Sequence, residues 1–290
     1  MSVENRDPWT GEVRRHAKQS AAEVERVLAA AEKAFPGWAR LGVARRGDGL
    51  RKVATVMRTH REAIATVMTA EMGKLRREAL AEIEKSAGAC RYYARHAGDY
   101  LREETIGTEA ARSYVRYEPI GCVLAIMPWN FPFWQVFRFA VPTLMAGNSV
   151  ILKHAYNVPQ CADAIEHLFR DAGLPQNLFR NYYLTNEDAG RVIADARVHG
   201  LSFTGSDVTG GILAGQAGAA IKKCVMELGG NDAFIVMADA DIDKAAEAIA
   251  RHGFANSGQF CYRVNRIYVE RPVYNSFLQK LQARVQKFTL

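Results

Sequence analysis

A carboxylate and a thiol, each set beside glycines, mark the last quarter of the chain. Glu227-Leu228-Gly229-Gly230-Asn231 carries the first, and Asn256-Ser257-Gly258-Gln259-Phe260-Cys261 the second. As a thiolate, Cys261 could attack a carbonyl carbon, and Glu227 could activate the water that later releases the product. The glycines would let the backbone approach a substrate closely or take positive φ. Each residue alone also has an ordinary reading. Free cysteines are usually inert core residues, and a glutamate after a strand is usually solvated.

Three further stretches could serve a ligand. Trp129-Asn130 lies between Pro128 and Pro132 after the apolar run Gly121 to Met127. It is either a rigid turn or a turn that holds the Asn130 amide in place. Lys153 follows the run Ser149 to Leu152, as a solvated strand end or as a ribose contact. Thr204-Gly205-Ser206 falls where a strand ends and a helix begins. That is an ordinary capped turn, or an anion contact made by free N–H groups and the helix dipole. No G-x-G-x-x-G follows any predicted strand. Gly205 to Gly210 has phosphate-loop spacing, but Gly211-Ile212 stands where Lys and Ser/Thr are required, which argues against a Walker-type nucleotidase.

The elements that must position these groups alternate. After a turn-rich arm over residues 1 to 19, Ser20-Ala21-Ala22-Glu23 fits a capping box and starts a helix, which Pro36-Gly37 should end. Two or three more helices reach about Leu101. They carry no chemical motif, and Glu78, Glu82, Lys85 and Arg91 read as solvated faces. Ala111 to Glu118 reads as a strand. From Ile120 onward, short β runs alternate with helices: Gly121 to Met127, Ser149 to Leu152, Leu178 to Leu184, Val198 to Phe203, Cys224 to Met226 and Ala233 to Val236 are the strands. Phe133 to Ala146 is helical, with a kink expected at Pro142. Alternation of this kind predicts an α/β fold, a parallel Rossmann-like sheet flanked by helices. Such sheets bind ligands beyond the carboxyl ends of their strands.

Bulk properties narrow the classes. With 290 residues and 49% hydrophobic content, a full core is expected and disorder is not. The net charge of +7 suits an anionic substrate or phosphate-bearing cofactor. The basic residues are scattered through amphipathic helices, so nucleic-acid binding is not expected. The five cysteines, Cys90, Cys122, Cys161, Cys224 and Cys261, are odd in number, far apart and without a C-x-x-C pair. That argues against a disulfide framework or a metal site and for a reducing, cytoplasmic setting. Outside Cys261 they read as packing residues, with Cys122 and Cys224 inside strands. The N-terminus has no apolar run, and Ile120 to Pro128 is too short to span a bilayer.

In order, Pro128-Trp129-Asn130-Phe131-Pro132, Phe203-Thr204-Gly205-Ser206, Glu227-Leu228-Gly229-Gly230 and Gly258-Gln259-Phe260-Cys261 resemble the aldehyde dehydrogenase superfamily. Ile126 to Pro132 followed by Leu152-Lys153-His154-Ala155 is most similar to its bacterial succinate-semialdehyde dehydrogenase branch. The resemblance implies that Cys261 is the nucleophile and Glu227 the base, with Asn130 and the Cys261 N–H as oxyanion donors. It places Trp129, Asn130, Lys153, Tyr156, Gly205, Ser206 and Leu228 at an NAD or NADP cofactor. At Tyr156 many members carry a Glu that favours NAD, so NADP is admitted. Arg138 matches an arginine that holds the substrate carboxylate. Ala255 replaces a second such arginine, and Tyr262-Arg263 follows the nucleophile where smaller residues are usual.

The implied organisation is an NAD(P)-binding domain over residues 1–250, with a β-hairpin oligomerisation arm near 103–119. Residues 251–290 would start a catalytic α/β domain that is incomplete here, since family chains continue further and no F-G-P segment occurs. The resulting expectation is oxidation of a small aldehyde, succinate semialdehyde in the first instance, by a homo-oligomer. The alternative is a cofactor-binding fragment with little or no turnover of its own.

Overall fold

A computed structural model describes residues 2–17 and 20–289. The chain divides into two compact units, Met1–Glu227 and Leu228–Leu290.

The first unit opens with an antiparallel hairpin, β1 (Ser2–Arg6) and β2 (Val13–Ala17). Helix α1 (Ala21–Ala39) begins at the expected capping box: Ser20 Oγ accepts from Glu23 N at 3.3 Å, and the Glu23 carboxylate accepts from Ser20 N at 2.6 Å. The helix does not stop at Pro36. Proline lacks an N–H for the ladder and its ring crowds the carbonyl four residues back, but tertiary packing carries the turn on. Trp38 is buried, and its Nε1 donates to Leu144 O at 2.8 Å. Helices α2 (Val43–Thr59), α3 (Arg61–Met72) and α4 (Arg76–Tyr100) follow, then the antiparallel pair β3 (Glu104–Thr105) and β4 (Tyr114–Val115). The strand expected over Ala111 to Glu118 is thus confined to two paired residues.

The remainder of this unit runs β5 (Cys122–Met127), α5 (Trp134–Met145), β6 (Ser149–His154), α6 (Pro159–Asp171), β7 (Phe179–Asn181), α7 (Asn186–Ala194), β8 (Val198–Thr204), α8 (Asp207–Ala219) and β9 (Lys223–Glu227). Its five strands are all parallel, in the order β7-β6-β5-β8-β9. β5 and β6 read as continuous apolar runs because both faces are covered. Ala125, Met127, Val150 and Leu152 join the core formed with α2 to α6, whereas Cys122, Leu124 and Ile151 face the core built with α1, α7 and α8. Helix α5 runs through Pro142, and a ladder of rings, Phe133, Phe137, Phe169 and Phe179, fastens it to α6 and β7.

The second unit contains β10 (Ala233–Val236), α9 (Ile242–Phe254), β11 (Arg266–Val269) and α10 (Tyr274–Val285). β10, expected to continue the large sheet, instead pairs in parallel with β11. Val236, Ala246, Ile249 and Phe277 form a small core of their own. No helix among the described residues is long and apolar enough to cross a membrane.

Candidate active site

Strand register brings the expected positions of the first unit to one edge of the sheet. Ile126 pairs with Lys153 and with Phe203, Met127 pairs with His154, and Thr204 pairs with Glu227. The carboxyl ends of β5, β6, β8 and β9 therefore lie level. At these ends stand Lys153 and Glu227, and just beyond them come Trp129-Asn130, Tyr156 and Gly205-Ser206. The chain order reverses between β5 and β8, and ligands of open α/β sheets bind at such a switch point.

The Asn130 loop is tied down by buried polar groups. His154 is buried; its Nε2 lies 2.9 Å from Pro132 O, and its Nδ1 accepts from Ala155 N at 2.9 Å. These partners suit a neutral ring with the proton on Nε2. Burial is the largest influence on this ring and pushes its pKa down to about 4, against the pull of the Pro132 and Met127 carbonyls. The unfolded chain therefore takes up the proton first, near the ordinary histidine value of about 6.5. Stability is unaffected above that pH and falls as pH drops towards 4. Between pH 7 and pH 5 the His154 share of this loss should be about 2 kcal/mol. It would appear as a steeper fall of the urea midpoint in the wild type than in His154→Gln. Equal pH slopes in the two proteins would show that His154 is not held neutral.

Glu82, expected on a solvated face, is instead buried, and its Oε1 accepts from Phe133 N and Trp134 N, each at 2.8 Å. The first free amides of α5 are thus capped by a side chain from α4. Sequence reading missed this residue, although Ala79, Glu82, Ile83 and Ser86, all buried, follow the spacing of one helix face.

The positions expected to meet a cofactor combine a capped helix start, a glycine without room for a side chain and a buried lysine. Ser206 caps α8, its Oγ accepting from Thr209 N at 3.2 Å. A Cβ at Gly205 would lie 2.4 Å from the Phe203 ring, so the backbone passes where no side chain fits. Lys153 is buried, its Nζ 4.4 Å from the centroid of the Tyr156 ring, while Tyr156 is 40% exposed and donates from its hydroxyl to Asn186 Oδ1 at 2.9 Å. A lysine ammonium set over a tyrosine ring and a helix start, each at a strand end, can receive a ribose and a pyrophosphate.

Arg138, on α5, meets Glu227 at 3.2 Å and reaches Thr204 Oγ1 at 3.5 Å. Sequence reading assigned these two residues to separate tasks and did not foresee the pair. Their side chains are 34% and 51% exposed, so the attraction is worth little in stability, but a guanidinium with five donors can hold one carboxylate and still offer hydrogen bonds to another.

In the second unit Leu228 is 39% exposed, and Cys261 lies exposed between α9 and β11. The approach to Cys261 is a left-handed turn: φ is +46° at Asn256, +56° at Ser257 and +72° at Gly258. Only the last of these is a glycine, and holding the other two there requires support from the surroundings. A Cβ at Gly230 would come within 3.1 Å of Cys261 O, so the Gly229-Gly230 segment passes the nucleophile candidate closely. Among the other thiols, Cys90, Cys122 and Cys161 are buried; burial pushes the first two up to about 12 and raises the third well above its ordinary value. Cys224, expected inside a strand and packed, is exposed, because β9 is the edge of the sheet.

A parallel layer with helices on both faces and a switch point at its centre defines an open α/β protein of the class that binds ligands beyond its strand ends. Residues 1–290 match the description "Aldehyde dehydrogenase family", and the chain belongs to that family. It is 43% identical over 287 residues to a "Probable succinate-semialdehyde dehydrogenase" of Synechocystis designated for NADP(+), covering 99% of this chain and 63% of that protein. It is 39% identical over 276 residues to the succinate semialdehyde dehydrogenase of Escherichia coli K12 designated for NAD(P)+, covering 95% and 58%. Among solved structures, succinic semialdehyde dehydrogenase from Streptococcus pyogenes in complex with NADP+ superposes with a TM-score of 0.94 at 33% identity, covering 97% of this chain and 62% of that one. The chain thus spans between 58% and 63% of the length of these relatives.

Proposed function

We propose that this protein oxidises an aldehyde, succinate semialdehyde in the first instance, to the carboxylic acid with NAD or NADP, through a thioester on Cys261. The observation that carries the reading is the level edge of the sheet, where Asn130, Lys153, Gly205-Ser206 and Glu227 stand at the ends of four neighbouring strands. Trp129, Asn130, Lys153, Tyr156, Gly205, Ser206 and Leu228 are the residues assigned to the cofactor, with nucleotide binding given to residues 1–250 and the start of the catalytic domain to 251–290. At Tyr156 no carboxylate opposes a 2′-phosphate, which admits NADP. The exposed β3–β4 segment would pair subunits, and free thiols suit the cytoplasm.

The chemistry assigned to the chain is as follows. The Cys261 thiolate adds to the aldehyde carbon, and the C–S bond forms as the carbonyl oxygen becomes an oxyanion. The Asn130 amide and the Cys261 N–H donate to that oxygen. The nicotinamide, when bound, supplies the acceptor for the hydride that leaves the same carbon. The oxyanion then re-forms a carbonyl, now a thioester. Glu227 takes a proton from water, hydroxide adds to the thioester, and the C–S bond breaks to release the acid and the thiolate. Arg138 holds Glu227 on one side and offers its remaining donors to the distal carboxylate of the substrate.

Because Glu227 acts after the redox step, Glu227→Gln should leave a burst of one NAD(P)H per active site and slow the steady state. Stopped-flow absorbance with succinate semialdehyde measures both. Equal loss of burst and turnover would move Glu227 to an earlier role. A second reading, cofactor binding without turnover, is favoured by apolar groups left exposed in the second unit, Ile235, Met237, Phe254 and Tyr268 among them. In that case NADP titrates the wild type, and neither burst nor turnover appears.

A further inference from the structure

Lys74 and Glu82 form an ion pair whose side chains are 0% and 2% exposed. Gly73, with φ of +70°, ends α3 and turns Lys74 inward, and Thr69 Oγ1 donates to Lys74 O at 2.8 Å. Two charges so deeply buried are costly, and an apolar pair of the same volume would serve packing as well. What the charges add is a set of bonds to one short stretch of backbone. Lys74 Nζ donates to Asn130 O at 2.9 Å and stands 3.9 Å from the centre of the Phe131 ring. Glu82 Oε1 takes the Phe133 and Trp134 amides. Burial lowers Lys74 and raises Glu82 from their ordinary values, and their mutual attraction opposes both shifts.

We propose that Lys74 and Glu82 are positioning residues for Asn130. One grips the carbonyl of Asn130 itself, the other the two amides at the start of α5, and the backbone between them carries the Asn130 amide in a fixed direction. The inference rests on the reading of Asn130 as an oxyanion donor. It separates from mere packing through an internal control. Glu71, on α3, is equally buried and caps α6 in the same way, accepting from Gln160 N at 2.8 Å and Cys161 N at 2.9 Å. It has no bond to the Asn130 loop among those described, so its loss should affect stability without redirecting Asn130.

The test compares Lys74→Met/Glu82→Gln with Glu71→Gln in the purified chain. The double substitution removes both charges together, so no lone buried ion is left, and the carboxamide introduced by Glu82→Gln retains an acceptor oxygen for the helix amides. Expected are a shifted Asn130 side-chain amide resonance, identified by its absence in Asn130→Ala, and a kcat lowered on the order of 10²-fold with KM nearly unchanged. Glu71→Gln should leave the resonance in place and kcat within about twofold. Lys74→Leu/Glu82→Gln, which likewise leaves no lone buried ion, carries the same test should the first double variant fail to fold. An unshifted resonance in a folded variant overturns the proposal. A shifted resonance in a chain whose wild type consumes no aldehyde would uphold the positioning and refute the proposed function instead.

Discussion

Cys261→Ala should abolish aldehyde-dependent NAD(P)H formation, a loss on the order of 10⁴-fold or more, the scale seen when the attacking group of a covalent catalyst is removed. No other cysteine is placed to substitute. Cys90, Cys122 and Cys161 are buried with their thiols held protonated. Cys224 is exposed but sits in the edge strand β9, its Sγ 3.6 Å from Lys222 O. Cys224→Ala is therefore the matched control and should keep activity within about twofold. The comparison is a steady-state assay on both variants with succinate semialdehyde. Full activity of Cys261→Ala would end the covalent mechanism, and loss in Cys224→Ala alone would move the nucleophile to β9.

Asn130→Ala should lower kcat by roughly 10²–10³, the usual effect of removing one oxyanion donor. Buried bonds to backbone atoms hold this stretch: Lys74 grips the Asn130 carbonyl and Glu82 the amides three and four residues on. Truncation should thus leave the loop standing, with a urea midpoint close to wild type, and remove only the donor. KM should change little, because the charge that Asn130 meets develops in the transition state. A kcat unchanged in a normally folded variant would reduce Asn130 to a turn residue.

The parallel sheet was legible because strands buried on both faces are written as unbroken apolar runs, and Cys122–Met127 and Ser149–His154 are buried in that way. Asn130, Lys153 and Gly205 follow such runs, whereas Glu227 ends the exposed edge strand β9 and stands out only through the glycines beside it. Pairing partners were harder. β10 has the composition of a sheet strand, but its partner β11 lies beyond α9, and nothing local in Ala233–Val236 specifies that choice. The Arg138–Glu227 pair likewise joins an early helix to the last strand of the sheet. Glu82 was misread because charged residues on amphipathic helices are normally solvated, and Lys74, in the short loop between α3 and α4, carries no pattern that marks it. The stripe Ala79, Glu82, Ile83, Ser86 held the signal, since a charge in the middle of a buried face needs a partner. Pro36 misled in the opposite sense: a local breaker was overridden by the burial of Trp38.

The central claim is that the aldehyde becomes covalently bound to Cys261 as it is oxidised. Mass spectrometry of peptides from Glu227→Gln, quenched after mixing with NADP and succinate semialdehyde, measures this directly. The account predicts an acyl group on the peptide containing Cys261, accumulating in step with one NADPH per active site, because hydrolysis of the thioester is slowed. NADPH formed with Cys261 left unmodified, or an acyl group found on Cys224 instead, would contradict it.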